Sequence, residues 1–212
     1  IHYRYAGSSL FLDIDAPTRC VYIFVYMVIT GIDYSLRSPA ICTHMGTTWN
    51  YSNCIFYFLS DRKKYSDVFS RRFFGKSFDS FSSEEERYDS ISSWAVDICD
   101  GVDQVGIENY AYNATGRVFN IAENTGVLKY KLFQLGIPLE CFSPSKVKKF
   151  GSGKGNASKD LMYESFVEET NVNLIEELNM KSLGNPVTDI VDSYYICKLL
   201  FYELDKMENI ND

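Results

Sequence analysis

Histidine is the scarcest chemistry in this 212-residue chain: there are two, His2 and His44, and the first stands at the extreme terminus. Catalysis built on histidine as base or ligand therefore has almost nothing to work with. The six cysteines, at positions 20, 42, 54, 99, 141 and 197, form no CxxC pair. Without that spacing or clustered histidines, neither a zinc site nor a dense disulfide framework is indicated, and a reducing compartment is expected. Positive charge is short as well, since 21 Lys and Arg against 28 Asp and Glu leave a net charge of −7. That excludes a surface coated for indiscriminate nucleic-acid binding, so any such contact must come from a local basic patch. The apolar run VYIFVYMVIT is too short to span a bilayer and has no small-residue cleavage site, so no membrane role is expected. Internal repeats and low-complexity segments are missing too.

What is present is a core. With 46% apolar and 16% aromatic residues the chain can bury one substantial interior, which predicts one domain. The first 26 residues lack an initiating methionine and are set aside as a leader, an upstream translation or a strand extension. The domain is expected over 27–205, with 206–212 as a polar tail. VYMVITGIDYS, PAICTHM and CIFYFLS read as three β-strands in an antiparallel meander. The charged segment that follows reads as a variable loop leading into a helix at 83–100, with serine at its cap and a solvated acidic first turn. QVGIENYAY predicts a fourth strand and IPLECFSP a fifth. A helix is predicted at 118–135, where Val118, Ile121, Ala122, Thr125, Leu128, Leu132 and Leu135 lie near helical spacing. Further helices are predicted at 156–170, 171–182 and 184–204. Three meandering strands followed by alternating helix and strand predict an α/β layer with helices on both faces.

Four acids are attached directly to apolar runs. Asp33 ends strand one, Glu108 ends strand four, and Asp189 and Asp192 open the last helix. Each alone has a structural reading: a turn start, a cap, a complement to the helix dipole. Together they are harder to explain, because Asp189 and Asp192 at spacing i, i+3 share a helix face, where like charges repel. A carboxylate cluster around two divalent ions would neutralise them, and this is what two-metal phosphodiester cleavage requires. The run SKVKKFGSGKGNASK puts Lys146, Lys148, Lys149, Lys154 and Lys159 among glycines, either as a phosphate-binding element or as a flexible surface loop. It is not a nucleotide-binding P-loop, because no glycine stands five residues before a Gly-Lys-Ser/Thr sequence. Tyr110 and Tyr112 are core residues or base-stacking groups, and Arg71 and Arg72 beside Phe73 and Phe74 form a second possible DNA contact or a partly buried loop.

The runs ITGIDYS, VGIENYAY, SPSKVKKFGSGKGNASKDLM and DIVDSYYI, in that order, resemble the RuvC type of Holliday junction resolvase, in the RNase H-like nuclease superfamily, and most of all its phage and viral branches. The resemblance spans Val28 to Phe201. It implies an RNase H-like mixed five-stranded sheet, an antiparallel three-stranded meander plus parallel strands, flanked by helices. It makes Asp33 the metal-bridging aspartate, Glu108 the fourth-strand glutamate and Asp189 and Asp192 the final-helix pair. Gly153, Gly155, Ala157 and Lys159 match a GxGxAxK element whose lysine lies near the scissile phosphate. Two magnesium ions per site are implied, with manganese able to substitute, and no nucleotide cofactor. The implied activity is paired symmetric nicking of four-way DNA junctions to leave 5′-phosphate ends, by a homodimer. The apolar stripe of helix 118–135 makes it the interface candidate, with core packing as the equal alternative. Localisation would be cytoplasmic, or at the site of viral DNA replication in a host cell. The segments 1–26 and 56–82 have no counterpart in that pattern. The alternatives are an RNase H-like nuclease acting on flaps or other branched DNA, an inactive junction-binding protein, and an actin-like phosphotransferase, whose glycine-rich phosphate loops this chain lacks.

Overall fold

The computed structural model describes residues 27–65, 70, 72–109 and 118–211. One sheet organises them. Strands β1 (Val28–Asp33), β2 (Ala40–Met45) and β3 (Cys54–Ser60) form the expected antiparallel meander, and β5 (Gln104–Glu108) and β6 (Leu139–Phe142) add to β1 in parallel. A strand not expected from the sequence, β4 (Phe73–Ser77), pairs in parallel with β3, so the order is β4-β3-β2-β1-β5-β6 and the sheet has six strands instead of five. Its charged surroundings concealed a short alternating edge strand. Phe73 faces the core and stacks on Phe56 at 5.2 Å, while Phe74 points the other way and stacks on Tyr57 at 5.3 Å. Cross-strand aromatic pairs of this kind are what stabilise a sheet edge.

Helices cover both faces. α1 (Glu84–Ile98) and α2 (Val118–Gln134) pack on one side, where Ile91, Ala95, Leu128 and Leu132 meet Ile32, Ile41, Val105 and Ile107. On the other side lie α3 (Pro144–Ser152), α4 (Lys159–Thr170), the single turn α5 (Leu174–Glu177) and α6 (Val187–Asn211), over Ile29, Cys42, Phe56 and Phe58. Ser83 caps α1 by accepting from the Glu86 amide, and Glu86 reaches back to Ser82, leaving the acidic first turn in solvent as expected. The 171–182 helix shrinks to α5, because Asn171 and Asn179 take left-handed backbone conformations that end regular helix on either side. α6 runs on through 206–211, the segment expected to be a tail. Among the described residues the cysteines are free, and no helix is long and apolar enough to cross a membrane.

The seat of α6 is set by two glycines. Gly31 of β1 and Gly106 of β5 are partners in the parallel register and face α6 side by side. A Cβ on Gly31 would lie 2.2 Å from the Cys197 amide nitrogen and 2.6 Å from the Ser193 carbonyl oxygen, so helix backbone rests directly on strand backbone. A Cβ on Gly106 would crowd Ile196 and Leu200 at 3.3 and 3.4 Å. Gly31→Ala is therefore expected to cost at least about 3 kcal/mol, since neither backbone can yield without lifting α6. By contrast Gly126, in mid-α2 with nothing within 4 Å of a Cβ, should gain about 0.5–1 kcal/mol as alanine. Urea unfolding of both variants checks the pair; equal, small effects would remove the glycine seat as an organising contact.

Candidate metal centre

Side chains alternate along a strand, so residues 29, 31 and 33 of β1 and 106 and 108 of β5 share the α6 face. Two residues beyond each glycine of the seat stands an acid, Asp33 after Gly31 and Glu108 after Gly106. α6 supplies the other pair. Residues four apart stack along a helix, so Asp189 continues the column of Ser193 and Cys197 over Gly31, and Asp192 continues that of Ile196 and Leu200 over Gly106. The like charges at i, i+3 are thus one per column, each aimed at a strand-end acid. Carboxylate oxygens of Asp33, Asp189 and Asp192 lie within 4.8 Å of one another. Glu108 stands beside this triad and interacts electrostatically with Asp192, outside the 4.8 Å group.

Burial dominates the electrostatics. Asp189 is 5% exposed, while Asp33, Glu108 and Asp192 keep partial access to solvent. Desolvation first, then repulsion from Asp192, Asp189 and Glu108, drives the Asp33 carboxyl well above its ordinary range. Desolvation lifts Glu108 to about 7, with Asp192 adding repulsion and Lys148 and Lys159 opposing it. It lifts Asp192 to about 6, with Lys159 opposing and Asp189 adding repulsion. Asp189 is also raised by burial, but less freely, because Ser38, Lys159 and Thr188 all favour its charged form. Four desolvated acids with this little compensation suit a divalent cation, and hard oxygen donors converging from three elements are the donor set that magnesium or manganese takes.

Lys159 is expected at the site from the sequence, but its partners and Ser38 are not. Ser38, in the β1–β2 turn, donates to Asp189 Oδ2 at 2.5 Å. Lys159, the first residue of α4, comes 3.8 Å from Asp189 Oδ1 and donates to Thr188 Oγ1 at 3.2 Å, and Thr188 in turn donates to Asn185 at 2.8 Å. The surrounding cleft is about 430 Å³ and is also lined by Tyr34, Leu36, Arg37 and Ile121. Serine and asparagine carry no spacing signal in a turn, so only the fold reveals them.

The lysine-rich run is not a glycine loop. Lys146, Lys148 and Lys149 lie on α3, which ends at Gly153 in the left-handed conformation, and only Lys154 lies in the turn before α4. The helix sends its lysines in different directions. Lys148 acts on Glu108 and Asp192, whereas Lys146 is paired with Glu203 of α6 at 3.3 Å; Lys149 and Lys154 are exposed. Arg72 faces inward and donates to the carbonyls of Tyr51, Ser52 and Cys54, which favours the partly buried reading of this segment over the DNA contact. Phe73 is buried against Phe56. Tyr110, Tyr112 and Arg71 lie outside the described residues. The periodic stripe of α2 is core in part: Thr125, Leu128 and Leu132 are buried, Ile121 and Ala122 are half-buried and Leu135 is exposed, and the helix also exposes Phe119, Tyr130 and Phe133.

No family model matches the chain, and no curated protein matches it by sequence. Solved structures do. Thermus thermophilus RuvC is similar with a TM-score of 0.54 at 15% identity, covering 85% of this chain and 97% of that one. T. thermophilus RuvC in complex with Holliday junction substrate gives 0.55 at 16%, covering 84% and 94%. The yeast mitochondrial Holliday junction resolvase Ydc2 gives 0.53 at 12%, covering 85% and 80%. The fold is thus the RNase H-like fold of these resolvases.

With carboxyls held above the ordinary range, the folded chain binds more protons than the unfolded chain between about pH 4 and pH 7. Metal-free stability must therefore fall as pH rises through that window. Thermal unfolding in EDTA is expected to give a Tm about 5 °C lower at pH 8 than at pH 5.5, with magnesium at pH 8 restoring it. Asp192→Asn should flatten the pH dependence and weaken the magnesium effect. A Tm indifferent to both pH and magnesium would contradict the metal centre.

Proposed function

We propose that the chain is a metal-dependent endodeoxyribonuclease that resolves four-way DNA junctions by paired, symmetric nicks leaving 5′-phosphate ends. The convergence of Asp33, Asp189 and Asp192, with Glu108 alongside, at the sheet edge of a fold shared with junction resolvases is the observation that carries this reading. Asp33, Glu108, Asp189 and Asp192 would hold two magnesium ions, with manganese able to replace them. Ions bound there supply an activated water for in-line attack and stabilise the leaving 3′ oxygen.

The chain's own groups do the rest. Ser38 fixes one oxygen of Asp189, so the carboxylate keeps its orientation while unneutralised. Lys159 is held by Thr188 with its ammonium at the mouth of the cleft, where it offsets charge developing on the phosphate. Lys148 adds positive potential from the Glu108 side. Lys149 and Lys154 contact the DNA backbone next to the cut, and Lys146 does so at the cost of its pairing with Glu203. Tyr110 and Tyr112 follow Glu108 by two and four residues, and one of them stacks on an unpaired base at the junction centre.

A four-way junction is two-fold symmetric, and two symmetric cuts need two sites, which is the case for a homodimer. Phe119, Tyr130 and Phe133 lie on one side of α2, away from the core, 77%, 61% and 78% exposed. Spaced by three turns and then by three residues, they form a stripe that a second copy can cover.

The test is cleavage of labelled four-way junction, flap and linear duplex with magnesium, read on a denaturing gel beside Asp33→Asn and Asp189→Asn. Paired nicks on the junction are expected, reduced at least about 10³-fold in both variants while junction binding persists. Equal cutting of all three substrates would replace the junction reading by a general nuclease, and tight binding without cutting would leave a binding protein.

A further inference from the structure

A second feature of the sheet edge lies outside the acid cluster. After β3 the chain turns through Arg62 and Lys64, and together with Tyr65 and the Asn179–Ser182 segment before α6 they enclose an open cavity of about 390 Å³. Its charged lining is all positive: Arg62, Lys64 and Lys181. Among the described residues, none of the three lies within 4.0 Å of a carboxylate. Lys64 rests 4.4 Å from the centre of the Tyr65 ring, a contact that orients its charge without cancelling it.

The wall is rigid. A Cβ on Gly75 of β4 would lie 1.8 Å from the Tyr65 carbonyl oxygen, so the turn crosses directly over the added strand. Tyr65 itself is fully buried and meets Phe58 edge-on at 6.2 Å. Tyr65 thus anchors on β4 the turn that carries Arg62 and Lys64.

The register gives the position. Asp33, Ala40, Phe58 and Gly75 form one rank across β1, β2, β3 and β4. β1, β3 and β4 run the same way, so the turn after β3 leaves the sheet at the edge where Asp33 stands. Tyr65 belongs to the core on the α6 face, and Lys181 leads into the helix that carries Asp189. Cavity and acid cluster thus open on the same edge and face, displaced by two to three strand spacings, or about 10–14 Å. That is close to the width of a DNA major groove, about 12 Å.

We infer that the Arg62–Lys64–Lys181 cavity binds backbone phosphates of a duplex DNA arm, across one groove from the strand held at the acid cluster. This rests on the nuclease reading above and adds to it a docking site contributed by the β3–β4 segment. A chain with net charge −7 needs such fixed cations to hold an arm against its own field.

The experiment is fluorescence anisotropy of the full chain with a labelled long-armed four-way junction in EDTA, over a salt series. The variant Arg62→Ala/Lys64→Ala/Lys181→Ala removes exposed side chains only, and its control, Arg62→Lys/Lys64→Arg/Lys181→Arg, keeps the charge. The alanine variant is expected to bind about 10-fold more weakly near 0.1 M salt, with the slope of log K against log salt reduced by about 2 to 3. The control should match the parent. An unchanged slope in the alanine variant, with a parent that binds junctions, overturns the cavity alone. A parent that binds no DNA overturns the cavity and the nuclease reading together.

Discussion

Backbone contact between α6 and the central strands is the constraint from which the rest follows. Gly31 and Gly106 sit side by side, and the helix lies so low over Gly31 that no side chain fits between. Contact this close fixes the height of the helix and its rotation about its own axis, because Ser193 and Cys197 must straddle one glycine while Ile196 and Leu200 cover the other. Rotation in turn decides where the first turn of α6 points. Asp189 and Asp192 reach the strand-end acids because the residues one and two turns later are already locked over the glycines.

The cost of that placement is electrostatic. Burial holds all four carboxyls above their ordinary range, repulsion adds to it at Asp33, Glu108 and Asp192, and among the described residues Lys159 and Lys148 oppose it with charge. A site meant only for stability would place hydrophobic groups or complete ion pairs there, since unpaired buried charge is among the most destabilising features a fold can carry. Ser38, Thr188 and Asn185 do not neutralise the cluster; they orient one of its acids, Asp189, and the Lys159 ammonium beside it. Orientation without neutralisation leaves charge to be satisfied by something outside the chain. This is why the arrangement favours a cation-binding centre over a structural network.

Legibility in the sequence followed local pattern. Asp33, Glu108, Asp189 and Asp192 stood out because each interrupts the end of an apolar run. The repeated Gly-Ile-acid triplet, 31–33 and 106–108, was equally present and encodes the seat, the opposite-face packing of Ile32 and Ile107, and the ligand in three residues. Its meaning depends on the parallel pairing of β1 with β5, a contact between segments 75 residues apart that no window along the chain contains. β4 was hidden for a related reason: five residues with a lysine and a glycine carry little strand signal until Phe56 and Tyr57 are placed beside them. Arg72 reads equally as a phosphate ligand or as part of a buried loop, and the choice between them is set by tertiary proximity alone, where it satisfies three carbonyls at and just before the start of β3. In α2 the helical period was correct, but period does not say which side faces the sheet. Leu128 and Leu132 turned inward and left Phe119, Tyr130 and Phe133 outside.

Charge distribution ties these pieces to one face of the molecule. The sheet's acid-bearing edge repels a polyanion at the point where a phosphate would have to sit, and the net charge of −7 repels it at long range. Approach is feasible only if cations flank the acids closely enough to act within a Debye length, about 8 Å at physiological ionic strength. Lys159 and Lys148 do so from the α3–α4 side, and Arg37 lines the cleft from the β1–β2 turn. Arg62, Lys64 and Lys181 extend the same edge outward over β3 and β4. β4 matters here beyond its packing, since by carrying the Tyr65 turn across Gly75 it widens the edge by one strand and anchors the turn on which two of those cations stand. An acidic protein can thereby present a narrow positive rim around a negative centre, and such a rim selects for a ligand that is anionic, extended, and able to bridge the acids with a bound metal.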